Sequence, residues 1–228
     1  MMSQREKLQA VIGYRFKDES LLIRALTHTS YSNEKKTGHA GSNERLEFLG
    51  DAVLELVSSE FFFERYPDYS EGRLTKLRAS FVCEPALYST AEEISLSSYL
   101  LLGKGEEATG GRKRPSVVSD AYEALIGAIY LDAGFSEAKR FILDTLLAHA
   151  ENKLFFFDSK SILQEELQKD SRGEPEYIVV SEEGPDHEKE YTVEVRHEGR
   201  VLGTGRDTGK KHAEQKAAYE ALKNIGKV

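Results

Sequence analysis

Apolar residues recur every three or four positions along the chain up to about Ala150. This spacing is typical of amphipathic helices, and the alternation that marks half-buried strands is scarce in the same region. The segments with helical spacing are LQAVIGYRF, LLIRALTHTS, RLEFLGDAVLELVSSEFFFERY, LTKLRASFVCEPALYSTAEEI, DAYEALIGAIYLDAG and EAKRFILDTLLAHAENKL. The pattern therefore predicts an all-α region over this part of the chain.

The pattern changes in the remaining part of the chain. SILQEELQKD has helical spacing, EYIVVSEEG, EYTVEVRHEG and RVLGTGRD alternate like strands, and KKHAEQKAAYEALKNIG is helical again. This order predicts an α-β-β-β-α arrangement. We therefore expect a multidomain protein with an all-α domain at residues 1–152, a linker at 153–158 and a second domain at 159–228.

Helix boundaries and loops can be assigned from small and polar residues. Asn43 is expected to cap the helix that begins with the next residue, and Gly134 is expected to end the helix that contains Asp120. The segment GKGEEATGGRKRP, residues 103–115, is polar and rich in glycine. It is therefore predicted to be a mobile loop.

Three acidic residues in the segment NERLEFLGDAVL repeat at helical spacing. At about 100° per residue, Glu44, Glu47 and Asp51 fall within roughly 60° of one another on one helix face. Like charges one turn apart destabilise a helix by about 0.2–0.5 kcal/mol per pair. A bound divalent cation would offset that cost, and a solvated acidic face is the simpler alternative.

A second segment, VVSDAYEALIGAIYLDAG, places Asp120 and Glu123 one turn apart on another helix. Carboxylates from two helices could hold cations against phosphate oxygens, and hard oxygen ligands of this kind suit Mg²⁺ or Mn²⁺. The two acidic faces together favour a metal site over two independent solvated faces.

Three strings in the chain resemble the ribonuclease III family of bacterial endonucleases specific for double-stranded RNA. They are NERLEFLGD, which is the family's signature, DAYEALIGAIYLD, and the earlier GYRFKDESLLIRALTHTSY. The resemblance extends into the C-terminal part and covers nearly the whole chain. It implies an all-α ribonuclease III catalytic domain followed by an α-β-β-β-α double-stranded-RNA-binding domain.

The resemblance also implies a catalytic mechanism. Glu47, Asp51, Asp120 and Glu123 match the residues that hold the catalytic metals, with Asp51 and Glu123 as the catalytic pair. Two Mg²⁺ ions, for which Mn²⁺ could substitute, would activate a water and stabilise the leaving 3′ oxygen. The expected products carry 5′ phosphates and 3′ hydroxyls.

Further positions in the first domain match family residues that contact RNA. Glu44 and Glu71 lie near the scissile strand in the family and are expected to orient it. Arg112, with Lys113 and Arg114, is a candidate for phosphate contact, and solvated charge is the alternative for these three residues.

The second domain contains the other expected RNA contacts. Lys210 and Lys211 stand at the start of a helix, where the helix dipole disfavours cations by about 0.3–1 kcal/mol each, so that docked phosphates would explain them. Two solvated lysines are the alternative. The resemblance implies RNA contact by both, and minor-groove contact by Ser161, Gln164, Gln168 and His187. Glu214 departs from the pattern, because the family's module often has a basic residue there.

Phe48 matches a family residue that inserts into a partner subunit. The resemblance therefore implies a homodimer, in which two acidic clusters related by a twofold axis cut both strands with a stagger.

The net charge of −8 alone would argue against a protein that binds a polyanion. The charge is unevenly distributed, however, because residues 158–195 contain 4 basic and 12 acidic residues whereas residues 196–228 contain 8 basic and 4 acidic. Phosphate contact depends on such local placement of Lys and Arg.

No apolar run approaches the roughly 18 residues that a membrane span requires, and the first residues lack the apolar core of a signal peptide. The single cysteine excludes an internal disulfide. We therefore expect a cytoplasmic protein with no membrane partner.

Two functions of different classes remain to be distinguished, and a nuclease for one narrow type of structured RNA is a further alternative, against which the second domain argues because it predicts broad duplex binding. One is cleavage of double-stranded RNA, with processing of ribosomal and other precursor RNAs as the family expectation. The other is a non-cleaving protein of the same fold that binds duplex RNA. Retention of all four ligand-type carboxylates favours cleavage, since a pure binder would gain from replacing acids that repel phosphate.

Overall fold

The computed structural model describes residues 2–38, 41–148, 159–170, 173–185 and 189–227. The chain divides into two compact units, residues 1–148 and 149–228. The first unit is helical, and the second contains a three-stranded sheet with two helices. The predicted fold class is therefore confirmed. The predicted linker at 153–158 lies outside the described residues.

The first unit consists of nine helices of α type among its described residues, with two short 3₁₀ turns at Leu96–Tyr99 and Gly111–Lys113. The helices are α1 Gln4–Val11, α2 Glu19–Ala25, α3 Thr29–Glu34, α4 Glu44–Arg65, α5 Glu71–Phe81, α6 Glu84–Glu93, α7 Lys104–Ala108, α8 Pro115–Ala133 and α9 Phe135–Thr145.

Helices α4 and α8 pack against each other at the centre of the first unit. A Cβ atom built on Gly50 of α4 would lie 1.8 Å from the carbonyl oxygen of Glu123 on α8. One built on Gly127 of α8 would lie 2.2 Å from the carbonyl oxygen of Leu46 on α4. Both distances are far below van der Waals contact, so the two backbones can approach this closely only because each helix has a glycine at the contact.

The start of α4 and the end of α8 lie where the sequence predicts them, but the expected capping residue acts as predicted at only one of them. Gly134 follows α8 with φ of +86°, as expected for a glycine that ends a helix. Asn43 precedes α4, but its side chain makes no capping hydrogen bond. Asn43 is buried, and its backbone N–H donates to the Thr27 carbonyl at 2.9 Å. The prediction of a side-chain cap was therefore wrong.

Residues 103–115 were expected to form a mobile loop, and the structure contradicts this expectation. The segment folds into α7 and a 3₁₀ turn. The Arg112 guanidinium donates to both carboxylate oxygens of Glu107 and to the carbonyls of Ser97 and Leu100. The residue composition of the segment predicted a loop because composition does not reveal long-range contacts. The hydrogen bonds of Arg112 hold the segment against the rest of the unit.

The second unit has the predicted α-β-β-β-α order. Its described elements are α10 Ser159–Asp170, β1 Glu176–Glu183, β2 Glu190–His197, β3 Arg200–Asp207 and α11 Lys210–Asn224. The strands form an antiparallel sheet in the order β1-β2-β3. Helix α11 packs on β2 and β3, and α10 packs on α11.

The core of the second unit depends on small residues. Ala213, Ala217 and Ala218 of α11 are fully buried. A Cβ atom on Gly203 or Gly205 of β3 would lie 2.4 Å or 2.1 Å from a carbonyl oxygen of α11. These small residues allow the helix to pack closely on the sheet.

No helix among the described residues is both long enough and apolar enough to cross a membrane.

The glycine contact between α4 and α8 leads to a stability prediction. Gly127→Ala should lower the free energy of unfolding by about 1–3 kcal/mol or more, because a methyl group there overlaps the α4 backbone. Gly72→Ala is the matched control, since Gly72 is an exposed residue of α5 with no atom within 4 Å of its Cβ position. Denaturant unfolding measures both variants. Equal midpoints for the two would contradict the role assigned to Gly127.

Candidate metal centre and nucleic-acid surfaces

The contact between α4 and α8 brings three of the predicted metal ligands together. Glu47 lies in the first turn of α4, and Asp120 and Glu123 lie on α8. One carboxylate oxygen from each of the three lies within 4.8 Å of the others. All three side chains belong to half-buried residues.

Burial and mutual repulsion disfavour the charged form of these acids. Burial, with the negative charges of Asp51, Asp120 and Glu47 in that order, raises the pKa of Glu123 to about 8. Burial and the charges of Asp120, Glu44 and Asp51 raise the pKa of Glu47 to about 7. A bound cation would offset the repulsion among these carboxylates and favour their charged form.

Asp120 is affected in the same direction. Burial raises its pKa, the Glu84 carboxylate adds to the increase, and His28 opposes it. His28 therefore lies close enough to influence the cluster, although its Nδ1 is already hydrogen-bonded to the Ser30 hydroxyl at 2.8 Å.

Asp51 lies one turn after Glu47 on α4 and is exposed. It is not one of the three residues whose ligand atoms lie within 4.8 Å of one another. Its charge nevertheless raises the pKa of Glu47 and Glu123, so it lies at the edge of the same cluster. Its assignment as a metal ligand and catalytic residue stays a prediction.

Glu55 is a residue that the sequence analysis missed. It lies one turn beyond Asp51 on α4, and its charge contributes to the raised pKa of Glu123. Its carboxylate is paired with Arg78 Nε of α5 at 2.8 Å. The spacing from Glu47 through Asp51 to Glu55 could have identified it, because the acidic repeat continues for one more turn.

The two acidic RNA-contact candidates of the first unit each stand at the beginning of a helix. Glu44 begins α4 and accepts a hydrogen bond from the Ser42 hydroxyl at 2.9 Å. Glu71 begins α5, is exposed, and accepts one from the Thr75 hydroxyl.

The basic candidates at 112–114 are partly engaged within the protein. Arg112 holds Glu107 and two carbonyls, as described above, and Arg114 pairs with Glu106 at 2.6 Å. Lys113 is exposed. A phosphate contact by Arg112 stays a prediction, and its guanidinium would have to serve both purposes.

The Phe48 side chain on α4 is 79% exposed, which is unusual for a large aromatic residue in a folded protein. Leu56 and Phe63 on the same helix are also largely exposed, at 58% and 72%. Leu56 and Phe63 line a groove of about 660 Å³ between α4 and α5, and Leu74 of α5 lines it as well. Helix α4 thus carries acids toward α8 and apolar side chains toward solvent.

In the second unit the predicted RNA contacts lie on two helices. Ser161, Gln164 and Gln168 lie on α10, with Ser161 and Gln168 exposed. Lys210 and Lys211 form the first turn of α11 and are exposed. His187 lies outside the described residues.

The turn before α11 is held by Asp207. Its carboxylate accepts from the Gly209 backbone N–H at 3.0 Å and pairs with Lys216 Nζ at 2.7 Å. The lysine is the main reason why the pKa of Asp207 is lowered. This clamp fixes the backbone that presents Lys210 and Lys211.

Comparison with known proteins agrees with both units. Residues 18–150 match the family model described as ribonuclease-III-like, and residues 159–225 match that of the double-stranded RNA binding motif. Ribonuclease 3 of Bacillus licheniformis is 49% identical over 226 residues, covering 98% of this chain and 91% of the relative. Ribonuclease 3 of Geobacillus thermodenitrificans is 48% identical over 222 residues, covering 96% of this chain and 90% of the relative.

A solved structure agrees with the assignment of the first unit. The nuclease domain of ribonuclease III from Campylobacter jejuni is 47% identical, with a TM-score of 0.57, and the match covers 61% of this chain and 93% of that one. Together with the helical unit, the sheet-containing unit and the carboxylate cluster, these matches mean that the chain belongs to the ribonuclease III family, the endoribonucleases that cleave double-stranded RNA.

Proposed function

We propose that this chain is a Mg²⁺-dependent ribonuclease III that works as a homodimer and makes staggered cuts in duplex RNA. The observation that carries the proposal is the set of carboxylate oxygens from Glu47, Asp120 and Glu123 within 4.8 Å of one another. Hard oxygen donors in this number are what Mg²⁺ and Mn²⁺ prefer, so the residues present fit the metal.

The four carboxylates have distinct roles in this proposal. Glu47, Asp120 and Glu123 would hold the metal from two helices, and Asp51 would complete the set from the exposed edge. Bound Mg²⁺ would supply activation of a water for in-line attack and stabilisation of the leaving 3′ oxygen. Glu44 and Glu71 orient the scissile strand. The products have 5′ phosphates and 3′ hydroxyls.

The second unit supplies affinity for the duplex. Lys210 and Lys211 contact phosphates at the start of α11, where the helix also presents its unpaired backbone N–H groups. Ser161, Gln164 and Gln168 of α10 reach the minor groove and its 2′-hydroxyls. Arg112 and His187 are the remaining candidates for RNA contact. Such contacts read the shape of the duplex, so one unit serves many sequences.

The proposed homodimer is supported by exposed apolar area on α4. Phe48 gains a buried environment only if another surface covers it. The solved Campylobacter jejuni nuclease domain is described as having a region involved in dimer formation. Two clusters would then cut the two strands. We further propose a cytoplasmic role in processing ribosomal and other precursor RNAs.

The catalytic assignment predicts a specific loss of cleavage. Glu123→Gln should lower the cleavage rate of a labelled RNA duplex in Mg²⁺ by at least about 100-fold, because loss of a residue that merely supports a ligand already costs 10–100-fold. Duplex binding should be retained. Glu92→Gln, an exposed carboxylate of α6, is the control and should cleave normally. Unchanged cleavage by Glu123→Gln would refute the assignment, and binding without cleavage by the intact chain would favour the non-cleaving protein.

The raised pKa values predict how stability depends on pH without metal. Above the ordinary carboxyl pKa of 4.5, the folded protein keeps a proton on Glu47 up to about pH 7 and on Glu123 up to about pH 8, and the unfolded chain releases both. Stability should therefore fall as pH rises through this window, by about 1–2 kcal/mol after allowance for solvent screening.

Urea unfolding in a chelator at about pH 5 and pH 8 measures this effect. Carboxyls with lowered pKa values, such as that of Asp207, titrate below the window. Added Mg²⁺ should restore stability at the higher pH, and Glu123→Gln should reduce both the loss and the restoration. A stability that does not change between the two pH values would contradict the prediction.

The proposed phosphate contacts predict a change in salt dependence. Replacing Lys210 and Lys211 by Ala should weaken binding to every duplex sequence and reduce the slope of log affinity against log salt by about 1–2, since each phosphate contact contributes about 0.9. Lys223→Ala, at the other end of α11, is the control. An unchanged slope in the double variant would exclude direct phosphate contact.

The dimer proposal predicts that Phe48→Ser yields monomers. Because the side chain is 79% exposed within one chain, its loss should not unfold the protomer. Sedimentation velocity should give twice the chain mass of 25.6 kDa for the intact protein and the single mass for the variant. Val201→Ser, an exposed apolar position of β3, should remain dimeric. A dimeric Phe48→Ser protein would remove this residue from the interface.

A further inference from the structure

Lys160 of α10 makes two interactions that link three elements of the second unit. Its Nζ lies 2.7 Å from Glu214 Oε2 of α11. The same Nζ lies 4.1 Å from the centre of the Tyr177 ring of β1, within the range of a cation–π interaction. One ammonium group therefore joins both helices and the sheet.

The other two members of this contact are well enclosed. The Glu214 side chain is only 20% exposed, compared with 39% for Lys160. The Tyr177 hydroxyl is buried and has no hydrogen-bond partner among the described residues. The tyrosine is therefore held in place by packing on the core and by the cation over its ring, and not by its polar atom.

Among the described residues, the fully buried Ser159 and Leu163 also anchor the first turns of α10. Leu163 is its fully buried apolar residue among the described side chains, and Ile162 and Leu167 are only partly buried. The later part of the helix is tied by Glu166, whose carboxylate pairs with Lys227 at 2.8 Å. At the beginning of α10, Lys160 adds a charged contact to α11. It immediately precedes Ser161 and lies one turn before Gln164.

We propose that the Lys160–Glu214 pair positions α10 against α11 so that the minor-groove contacts of α10 and the phosphate contacts of α11 engage the same duplex together. The family's module often has a basic residue at the position of Glu214. In this chain the Glu214 carboxylate instead forms the ion pair that holds Lys160. This inference rests on the proposed RNA contacts of Ser161, Gln164 and Gln168.

The proposal makes Lys160 a determinant of the preference for RNA over DNA. Contacts to 2′-hydroxyls are what distinguish RNA from DNA at a given site. Three of the four proposed minor-groove residues lie on α10. Phosphate contacts are available on either duplex. Release of α10 should therefore weaken binding to RNA more than binding to DNA of the same length.

The experiment measures affinity of the full chain for matched RNA and DNA duplexes in a chelator, at several salt concentrations. Lys160→Met should lower the ratio of RNA to DNA affinity by about five- to tenfold, as expected when one or two hydrogen bonds are lost. Lys160→Arg keeps both interactions and should restore most of the ratio. Lys169→Met removes the same charge from a lysine that pairs with Glu166 on its own helix, and should leave the ratio unchanged.

A merely structural role would give a different result. If Lys160→Met only destabilised the unit, the active fraction would fall and both affinities would fall together, with no change in their ratio. If Lys160 contacted a phosphate directly, the salt dependence would decrease by about 0.9. Either outcome overturns the proposal, which predicts a lower ratio at an unchanged salt dependence.

A second pair of variants separates this inference from the function on which it rests. Gln164→Ala should lower the ratio by itself, and its effect should largely disappear in the Lys160→Met background because the helix is already displaced. If Gln164→Ala and Gln168→Ala leave the ratio unchanged, the minor-groove assignment fails and the proposal fails with it. If they lower the ratio but Lys160→Met does not, only the positioning role fails.

Discussion

The distance between the α4 and α8 backbones is the constraint on which the first unit depends. Gly50 and Gly127 permit an approach at which any Cβ atom would overlap a carbonyl oxygen of the facing helix. That approach brings the carboxylate of Glu47 on one helix to those of Asp120 and Glu123 on the other. Packing and the carboxylate cluster therefore depend on the same contact, because a wider helix crossing would open the core and move the Glu47 oxygen away from those of Asp120 and Glu123.

The same proximity creates an electrostatic cost. Acids that would repel one another only weakly in water are placed in half-buried positions, where burial and neighbouring charge both disfavour ionisation. The surrounding fold must stabilise this arrangement when no cation is present. The buried side chains of α8, including Leu125, Ile126 and Ile129, contribute that stabilisation. Two of the three acids of the candidate site thus lie on a helix with a largely buried apolar side.

Much of this organisation could be predicted from the chain. Helical spacing followed by alternation predicted both units, and the acidic repeats on two helices predicted an acidic cluster. Local composition failed where a long-range contact decides the outcome. The segment at 103–115 is folded because Arg112 reaches carbonyls of Ser97 and Leu100, and Asn43 is buried against Thr27 without capping α4. Glu55 could have been found from the acidic repeat, but its effect on the pKa of Glu123 and its pairing with Arg78 depend on contacts between helices.

The raised pKa of Glu123 has a consequence for the thermodynamics of ion uptake. Near neutral pH this carboxyl, with a pKa of about 8, is mainly protonated in the free protein. A carboxylate must lose its proton to coordinate a cation, so uptake of the ion is also a release of protons. Calorimetric heats of binding will therefore vary with the ionisation enthalpy of the buffer, and apparent affinity will rise with pH. Binding of a metal at the proposed site would therefore displace protons from it.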